Sequence, residues 1–179
     1  MKLSSYQNHT FKTKDLTRIA FAAAILICVF YAFSQIVYLE LVTMTLLLYG
    51  LNFSKRDSFL IAFIFSMVLL IMYGIQSFTI MYMIIFPIFA LLTTVLKRPL
   101  EKHLYLTAAY GGFFSFVLGS LVDLPYLLFS GKATMIYLVT GLQVGIPKAF
   151  ATVIVIILAF EPLNNILKQI LKGEQINEK

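Results

Sequence analysis

Long apolar stretches without a single charged side chain recur along this sequence and constrain its fold more than any other feature. The first, IAFAAAILICVFYAFSQIVYL, lies between Arg18 and Glu40, and a longer one separates Asp57 from Lys97. A helix needs about 20 mostly apolar residues to cross a bilayer. The chain has 179 residues, of which 60% are hydrophobic and only 12% are charged. This pattern predicts an all-α polytopic membrane protein and excludes a water-soluble enzyme of ordinary composition.

Six membrane-spanning helices are predicted from the gaps between charged residues. The single transmembrane domain covers 1–179, and its predicted spans are 19–39, about 41–54, two within 58–96, about 103–129 and about 134–160. The second span is short, or it begins near Tyr38 and takes Glu40 into the membrane. Gly74, Gln76 and Ser77 predict the turn that separates the third span from the fourth.

The basic residues predict the orientation of these helices, because Lys and Arg in short loops are retained on the cytoplasmic side. Of the 14 basic residues, all but Lys132 and Lys148 precede the first span, follow the sixth, or lie in the loops after the second and fourth. Both termini are therefore expected in the cytoplasm, with 1–16 as a cytoplasmic segment, in a multi-pass protein of the cell membrane. The net charge of +6 follows from this topology and from contact with anionic lipids, with no nucleic-acid partner.

The sequence becomes amphipathic after Phe160. Five apolar residues fall on one helical face, and polar residues fall on the other. The apolar set is Leu163, Ile166, Leu167, Ile170 and Leu171. We predict a cytoplasmic amphipathic helix over 161–173 that lies on the inner membrane surface.

Motifs of enzymes and metal centres are missing from the sequence. His9 and His103 have no second ligand at metal-binding spacing, and no paired cysteines or H-E-x-x-H motif occurs. No G-x-x-x-x-G-K phosphate loop occurs either. We therefore expect neither an enzyme nor a bound cofactor or metal, and any ATP hydrolysis would reside on another polypeptide.

Polar and aromatic side chains gather in the half of the predicted spans that faces outward. Ionisable and amide groups are costly inside a bilayer unless they face a partner or a wet cavity, so each is a candidate functional residue. Aromatic rings with a few hydrogen-bonding groups suit a planar, polar heterocycle. The candidate substrate-binding residues are Glu40, Gln76, Tyr82, Asp123, Tyr126 and Gln143.

Structural roles compete with ligand binding at several of these positions. Tyrosines near an interface are typical of an aromatic belt, and Glu40 also fits an outer loop. Asp123 precedes Pro125 by two residues, so its carboxylate could bind ligand or accept from backbone groups that the proline frees. Lys148 could pair with Asp123, contact a partner subunit or extend its ammonium toward the surface. Gln143 lies between two glycines that allow a close helix approach.

A stripe of small residues in the first span gives a separate signal. Ala20 and Ala24 are four residues apart, so they lie on one face of the helix and let another helix approach closely. That second helix belongs either to this chain, as ordinary internal packing, or to a partner protein.

These features together resemble the substrate-binding S component of an energy-coupling factor (ECF) transporter. The likeness includes the length of the chain and its six predicted helices with both ends inside. It also includes the start of the first span, which reads K-D-L-T-R-I-A-F-A-A-A-I. Within that segment, Ala20 and Ala24 match the family's A-x-x-x-A element. The resemblance implies a subunit that captures a vitamin near the outer surface and associates with a transmembrane T component and two cytosolic ATPases. It also implies that Ala20 and Ala24 face the T component and that toppling of the subunit delivers the substrate.

The distribution of charge bears on the substrate class and on the competing functions. An anionic ligand such as folate would need Arg or Lys in the outer half, where only Lys132 occurs. Overall likeness favours a pyridoxine or hydroxymethylpyrimidine type of substrate, with cobalamin second. A self-sufficient channel or secondary transporter is the alternative, and it requires a polar path through both leaflets. A subunit that assembles without binding a ligand is a further alternative.

Overall fold

All secondary structure is helical in the residues that the computed structural model describes, which are 13–34, 36, 41–122, 124–128 and 131–176. The helices are α1 (Thr13–Phe33), α2 (Leu41–Asn52), α3 (Lys55–Tyr73), α4 (Ser77–Val95), α5 (Lys97–Lys102), α6 (Leu104–Leu121) and α7 (Gly131–Ile176), with a 3-10 helix at Leu124–Leu128. No strand occurs within these ranges. The predicted all-α class is confirmed.

Five of these helices are long and apolar enough to cross a membrane. They cover Thr13–Phe33, Lys55–Tyr73, Ser77–Val95, Leu104–Tyr126 and Met135–Gly173. α2 is also apolar but has only 12 residues, which corresponds to a length of about 18 Å at the α-helical rise per residue. The fold is therefore compatible with a multi-pass membrane protein, with five candidate spans in the described part of the chain.

α1 begins earlier than the predicted first span, at Thr13 instead of residue 19. Residues 13–16 of the predicted cytoplasmic segment thus form its first turn, and 1–12 lie outside the described residues. Asp15 in this turn is favourable because a carboxylate complements the positive end of the helix dipole.

α2 lies at the centre of the helix bundle. Every residue from Val42 to Leu51 is buried, and α2 contacts α1, α3, α4, α6 and α7. A helix that is apolar on all faces is stable where neighbouring helices cover each face. A short helix forms within the predicted second span of about 41–54, but with 12 residues it is not one of the five candidate membrane spans. Its burial inside the protein accounts for its mostly apolar surface. Tyr38 and Glu40 lie outside the described residues.

The turn between α3 and α4 forms where the sequence predicted it. Gly74 ends α3 with a φ of 75°, a conformation that glycine adopts without steric penalty. The backbone N–H of Gln76 then donates to Thr79 Oγ1 over 2.9 Å at the start of α4. The predicted division of 58–96 into two helices is therefore confirmed.

The last two long helices differ from the prediction at their ends. α6 stops at Leu121 and a 3-10 helix follows, whereas the sequence predicted one span over about 103–129. Pro125 accounts for this break because it cannot donate the backbone hydrogen bond that would continue the helix. α7 runs unbroken through Pro162, instead of ending near Phe160 ahead of a separate helix. Contacts of its last turns with α2 and α5 offset the hydrogen bond that Pro162 cannot make.

Glycines bring the backbones of α6 and α7 into contact. A Cβ atom on Gly119 would lie 2.9 Å from the Cα of Gly145, and one on Gly141 would lie 3.0 Å from the carbonyl oxygen of Gly119. Small residues permit such close contacts between membrane helices. Along the same contact, Thr152 Oγ1 donates to Ser115 Oγ over 3.0 Å. The structure therefore has the close helix approach that the two glycines of α7 predicted.

Alanine at Gly119 is expected to destabilise the protein by about 1–3 kcal/mol, because the added Cβ overlaps the α7 backbone and forces the two helices apart. Gly173 is the matched control, since no atom lies within 4 Å of its Cβ position. Alanine at Gly173 is expected to stabilise α7 by up to about 1 kcal/mol. Thermal unfolding of both variants in detergent measures the difference. Equal stability of the two would mean that α6 and α7 do not touch at Gly119.

Candidate functional site

Three segments meet at one end of the bundle, which we call the distal end: the α3–α4 turn, the 3-10 helix and the first turns of α7. Ser77 Oγ donates to the carbonyl oxygen of Val122 over 2.9 Å and ties the start of α4 to the end of α6. The rings of Tyr126 and Tyr137 stack with centroids 4.8 Å apart and tie the 3-10 helix to α7. The opposite, proximal end holds the starts of α1, α3 and α6 and the end of α2.

Two of the six predicted substrate-binding residues lie at the distal end. Gln76 is exposed in the α3–α4 turn, where its Nε2 donates to the carbonyl oxygen of Tyr73 over 3.0 Å. Tyr126 is 37% exposed and takes part in the ring stack of the 3-10 helix. Glu40 and Asp123 lie outside the described residues. The structure thus brings Gln76 and Tyr126 to the same end of the bundle.

The other two predicted residues lie further along their helices. Tyr82 is half-buried on α4, with its ring centroid 4.7 Å from that of Phe86. Gln143 is exposed on α7, two residues from both Gly141 and Gly145. Two residues correspond to about 200° around a helix, so Gln143 points away from the contact with α6. No hydrogen bond joins Gln143 to the distal end within the described residues.

Six aromatic rings from α1, α3 and α4 form a closed circuit that was not predicted. Neighbouring ring centroids are 4.7–6.3 Å apart, within the range of favourable aromatic contacts. The members, in order around the circuit, are Phe30, Phe65, Phe86, Tyr82, Phe78 and Tyr73. We call this set the aromatic cluster. Its signal in the sequence is the spacing of Phe78, Tyr82 and Phe86, which puts three rings on one face of α4.

The aromatic cluster reaches the distal end through Tyr73, the last residue of α3. Tyr31 of α1 stacks on Tyr73 with centroids 6.4 Å apart, and its hydroxyl donates to Met72 Sδ over 3.0 Å. The amide of Gln76 lies beside them, bonded to the backbone of Tyr73. Ring faces next to an amide can stack a planar ligand and hydrogen-bond its edge.

The two alanines of the A-x-x-x-A element lie on the outside of the bundle. Ala20 and Ala24 are exposed, whereas the two alanines between them are 4% and 2% exposed and pack in the core. Thr17 and Cys28 continue the exposed face at spacings of three and four residues. We call Thr17, Ala20, Ala24 and Cys28 the α1 stripe. Within the described residues the stripe is not internal packing, so its small side chains are accessible to another helix.

A partly buried ion pair joins α1 to α3 at the proximal end, and it was not predicted. Arg18 Nη2 lies 2.8 Å from Asp57 Oδ2 and 3.4 Å from Asp15 Oδ1. The guanidinium also lies over the ring of Phe53, 5.5 Å from its centroid. The Asp57 carboxylate is 10% exposed. The backbone N–H of Asp57 donates to Ser54 Oγ at the start of α3. In the sequence, Ser54 precedes Asp57 by three residues, and this Ser-x-x-Asp spacing is typical of the start of a helix.

Two adjoining cavities extend from the proximal end between α1, α2 and the last turns of α7. The larger has a volume of about 580 Å³ and includes polar residues of the first turns of α1 in its wall. The smaller, of about 300 Å³, is lined almost wholly by apolar side chains. None of the six predicted substrate-binding residues lines either cavity. These cavities are therefore separate from the candidate site at the distal end.

Comparisons of the chain with protein-family models, with curated proteins and with solved structures find no match. Among the residues that the structure describes, no group of three or more His, Cys, Asp or Glu side chains is placed to hold a metal ion. The fold defines the class as an all-helical protein with five candidate membrane spans in its described part.

Proposed function

We propose that the chain is the substrate-binding S component of an ATP-driven ECF importer for a vitamin or vitamin precursor. The observation that carries this proposal is the exposure of Ala20 and Ala24 on the α1 stripe. Small residues on a membrane helix let a second helix approach closely, and the opposite face of α1 is already occupied by the core of this chain. The A-x-x-x-A element therefore suits a contact with the T component of the importer.

Six spans with both termini in the cytoplasm fit the distribution of positive charge. Apart from Lys132 and Lys148, the basic residues of the described chain lie at the starts of α1 and α3, in or next to α5 and in the last turns of α7. Because Lys and Arg are retained on the inner side, the proximal end is proposed to be cytoplasmic and the distal end external. α2 then counts as a short second span, and the protein resides in a bacterial plasma membrane.

The substrate is proposed to bind at the distal end, which faces outward in this topology. The aromatic cluster supplies ring faces, and polar groups beside it supply hydrogen bonds. The residues predicted to bind the ligand are Glu40, Gln76, Tyr82, Asp123, Tyr126 and Gln143. Of these, Gln76 and Tyr126 lie at the distal end in the described part of the chain. The α3–α4 turn and the described 3-10 helix carry no Arg or Lys, so a weakly charged ring of the pyridoxine or hydroxymethylpyrimidine type suits them. Cobalamin is the second candidate and needs a wider cavity.

Energy for import is proposed to come from partner subunits, because the chain has no phosphate loop. Substrate binds from outside, and two cytosolic ATPases attached to the T component hydrolyse ATP. The S component then topples within the membrane and releases its substrate to the cytoplasm. In this cycle the α1 stripe is the surface through which the T component acts on the chain.

Purified alone, the chain is expected to bind a vitamin-like molecule without transporting it. Mass spectrometry of copurifying small molecules identifies the ligand, and titration measures its affinity. Vesicles that contain only the chain should accumulate none of the ligand, whereas vesicles with the T component and the ATPases should accumulate it on addition of ATP. Unaided accumulation would establish a self-sufficient channel or secondary transporter instead. Absence of any bound ligand would favour an assembly subunit.

One pair of variants in this titration locates the ligand. Tyr126→Leu is expected to weaken binding by about fivefold, because a stacking ring contributes about 1 kcal/mol. Tyr105→Leu is the matched control, since Tyr105 is 79% exposed in the first turn of α6 at the proximal end. Equal affinity of the two variants would place the ligand away from Tyr126.

A further inference from the structure

The exposed face of α7 is apolar except for one amide. This face lies on the side of the helix opposite Gly141 and Gly145, which contact α6. Its members are exposed and recur every three or four residues, the spacing of one helical face. They are Ile136, Val139, Gln143, Ile146, Phe150, Ile154 and Leu158. We call this set the α7 face. Lipid covers its apolar members without cost, so Gln143 is the member that requires a partner.

Gln143 lies at membrane depth without a hydrogen-bond partner. It is exposed eight residues after Met135, where the candidate span begins, which is about 12 Å along the helix. The hydrocarbon core of a bilayer is about 30 Å thick, so the amide lies inside it. In the part of the chain that the structure describes, no hydrogen bond reaches this amide. The nearby Thr140 differs, because its hydroxyl donates to the carbonyl oxygen of Ile136 over 2.9 Å.

The backbone supplies a second polar group at the same position. Pro147 lies inside α7, four residues after Gln143, and proline has no backbone N–H. The carbonyl oxygen of Gln143 therefore lacks the donor that residue 147 would supply in a regular helix. In lipid, each backbone polar group needs a partner within protein. A free amide and a free carbonyl oxygen thus lie at one level of α7.

A second copy of this chain carries matching groups at the same depth. All copies insert into the membrane with one orientation, so two α7 helices that meet are parallel and their Gln143 residues lie at equal depth. A primary amide both donates and accepts, so Nε2 of each copy can donate to the free carbonyl oxygen of the other. One polar residue in an otherwise apolar helix interface fixes the register of the pair. An acyl chain has neither a donor nor an acceptor.

We propose that the chain forms a dimer in the membrane through the α7 face, with the two Gln143 amides hydrogen-bonded across a two-fold axis. The axis runs along the membrane normal, and Ile136, Phe150 and Ile154 pack around the amides. Gln143 is then an interface residue, whereas the sequence predicted that it binds the ligand. This inference requires that α7 spans a membrane, and it does not rest on the vitamin or on the partner proteins.

Sedimentation equilibrium of the full chain in density-matched detergent measures the dissociation constant of the dimer. Gln143→Leu is expected to raise this constant about tenfold, because it removes the hydrogen bonds between the helices. Gln143→Asn keeps an amide and should retain most of the association. Gln169→Leu is the matched control, since Gln169 is exposed on α7 beyond the α7 face, and it should associate like the unaltered chain.

Three results of this experiment would overturn the proposal. The first is a chain that is monomeric at every concentration, and the second is equal association of Gln143→Leu and the unaltered chain. The third is association that is lost when Ala20 and Ala24 are replaced by leucine but not when Gln143 is. That result would place the second copy on the α1 stripe.

Disulfide cross-linking in native membranes locates the interface. Both variants carry Cys28→Ser, which removes the single cysteine. Phe150→Cys adds a thiol to the α7 face two turns from Gln143, and Ile71→Cys adds one to α3, at positions where the native side chains are 67% and 78% exposed. Equivalent residues near a two-fold axis face each other, within reach of a disulfide. We expect oxidation to link the Phe150→Cys variant into dimers and to leave the Ile71→Cys variant monomeric. Equal dimer yields would overturn the proposal.

Discussion

Leucine at both Ala20 and Ala24 is expected to abolish vitamin uptake by the assembled importer while leaving the affinity of the chain for its ligand unchanged. Both alanines are exposed on the α1 stripe, so the added side chains point away from the core and leave the bundle intact. They would hold the partner helix away from α1, and overpacking of this kind costs about 1–3 kcal/mol per site. Two sites together are expected to lower the affinity for the T component by about a hundredfold or more.

Ala109→Leu is the matched control for this variant, because Ala109 is an exposed alanine on α6 instead of α1. Uptake is measured in vesicles that contain the T component and the ATPases, and ligand affinity is measured by titration of the purified chain. The control should retain both activities. Normal uptake by the double leucine variant would remove the α1 stripe from the interface. Loss of ligand binding with intact assembly would make the stripe part of the internal packing of the chain.

Cys28 reports on the same contact directly. It is the single cysteine of the chain, and it is exposed on the α1 stripe one helical turn from Ala24. A photo-reactive cross-linker attached to Cys28 is expected to capture the T component in the assembled importer. The yield should fall sharply in the double leucine variant and stay unchanged in Ala109→Leu. Cross-linking to lipid alone in the unaltered protein would contradict the proposed interface.

The hydropathy pattern was sufficient to predict most of the helices, because a membrane helix is specified by a local run of apolar residues. α3 and α4 occupy the predicted stretch and are divided at Gly74 as expected. The apolar stretch that contains α2 lies between Glu40 and Lys55, and this short distance between charged residues also predicted that α2 is short. Its central position was not predictable, since an apolar surface requires a cover on every face without specifying which helices provide it.

The ends of the last helices depend on contacts that no local pattern encodes. A proline removes one backbone hydrogen bond, and this is compatible with a helix that stops and with one that continues. α6 stops ahead of Pro125, whereas α7 continues through Pro162. Beyond Pro162, Asn164 Oδ1 accepts from Asn52 Nδ2 over 2.7 Å and holds α7 against the end of α2. Tertiary contacts of this kind decide between the two outcomes.

For the candidate site, the sequence predicted how far along its helix each residue lies better than it predicted which face of the helix the residue occupies. Gln76 and Tyr126 lie at one end of the bundle, as expected from their places in the apolar stretches. Gln143 was grouped with them, although it lies on the face of α7 opposite the α6 contact. The ion pair of Arg18 with Asp57 spans 39 residues. Like the aromatic cluster, this pair follows from the packing of α1 on α3, which residue spacing within one helix does not specify.

Arg18→Met is expected to destabilise the protein by about 3–5 kcal/mol, because it leaves the Asp57 carboxylate buried without its cation. The carboxylate is 10% exposed and lies 2.8 Å from the guanidinium. Methionine keeps an unbranched apolar chain against Phe53, so the loss is chiefly electrostatic. For a chain of this size the midpoint of thermal unfolding in detergent should fall by roughly 10 °C.

Lys168→Met is the matched control, because it breaks a second ion pair between separate helices. Lys168 Nζ lies 3.4 Å from Glu101 Oε1, but the side chains are 42% and 31% exposed. Exposed pairs contribute about 0–1 kcal/mol, so the midpoint should fall by at most about 3 °C. Adding Asp57→Asn to Arg18→Met removes the uncompensated charge and should restore most of the lost stability. Equal midpoints for Arg18→Met and Lys168→Met would mean that apolar packing, and not the ion pair, fixes α1 against α3.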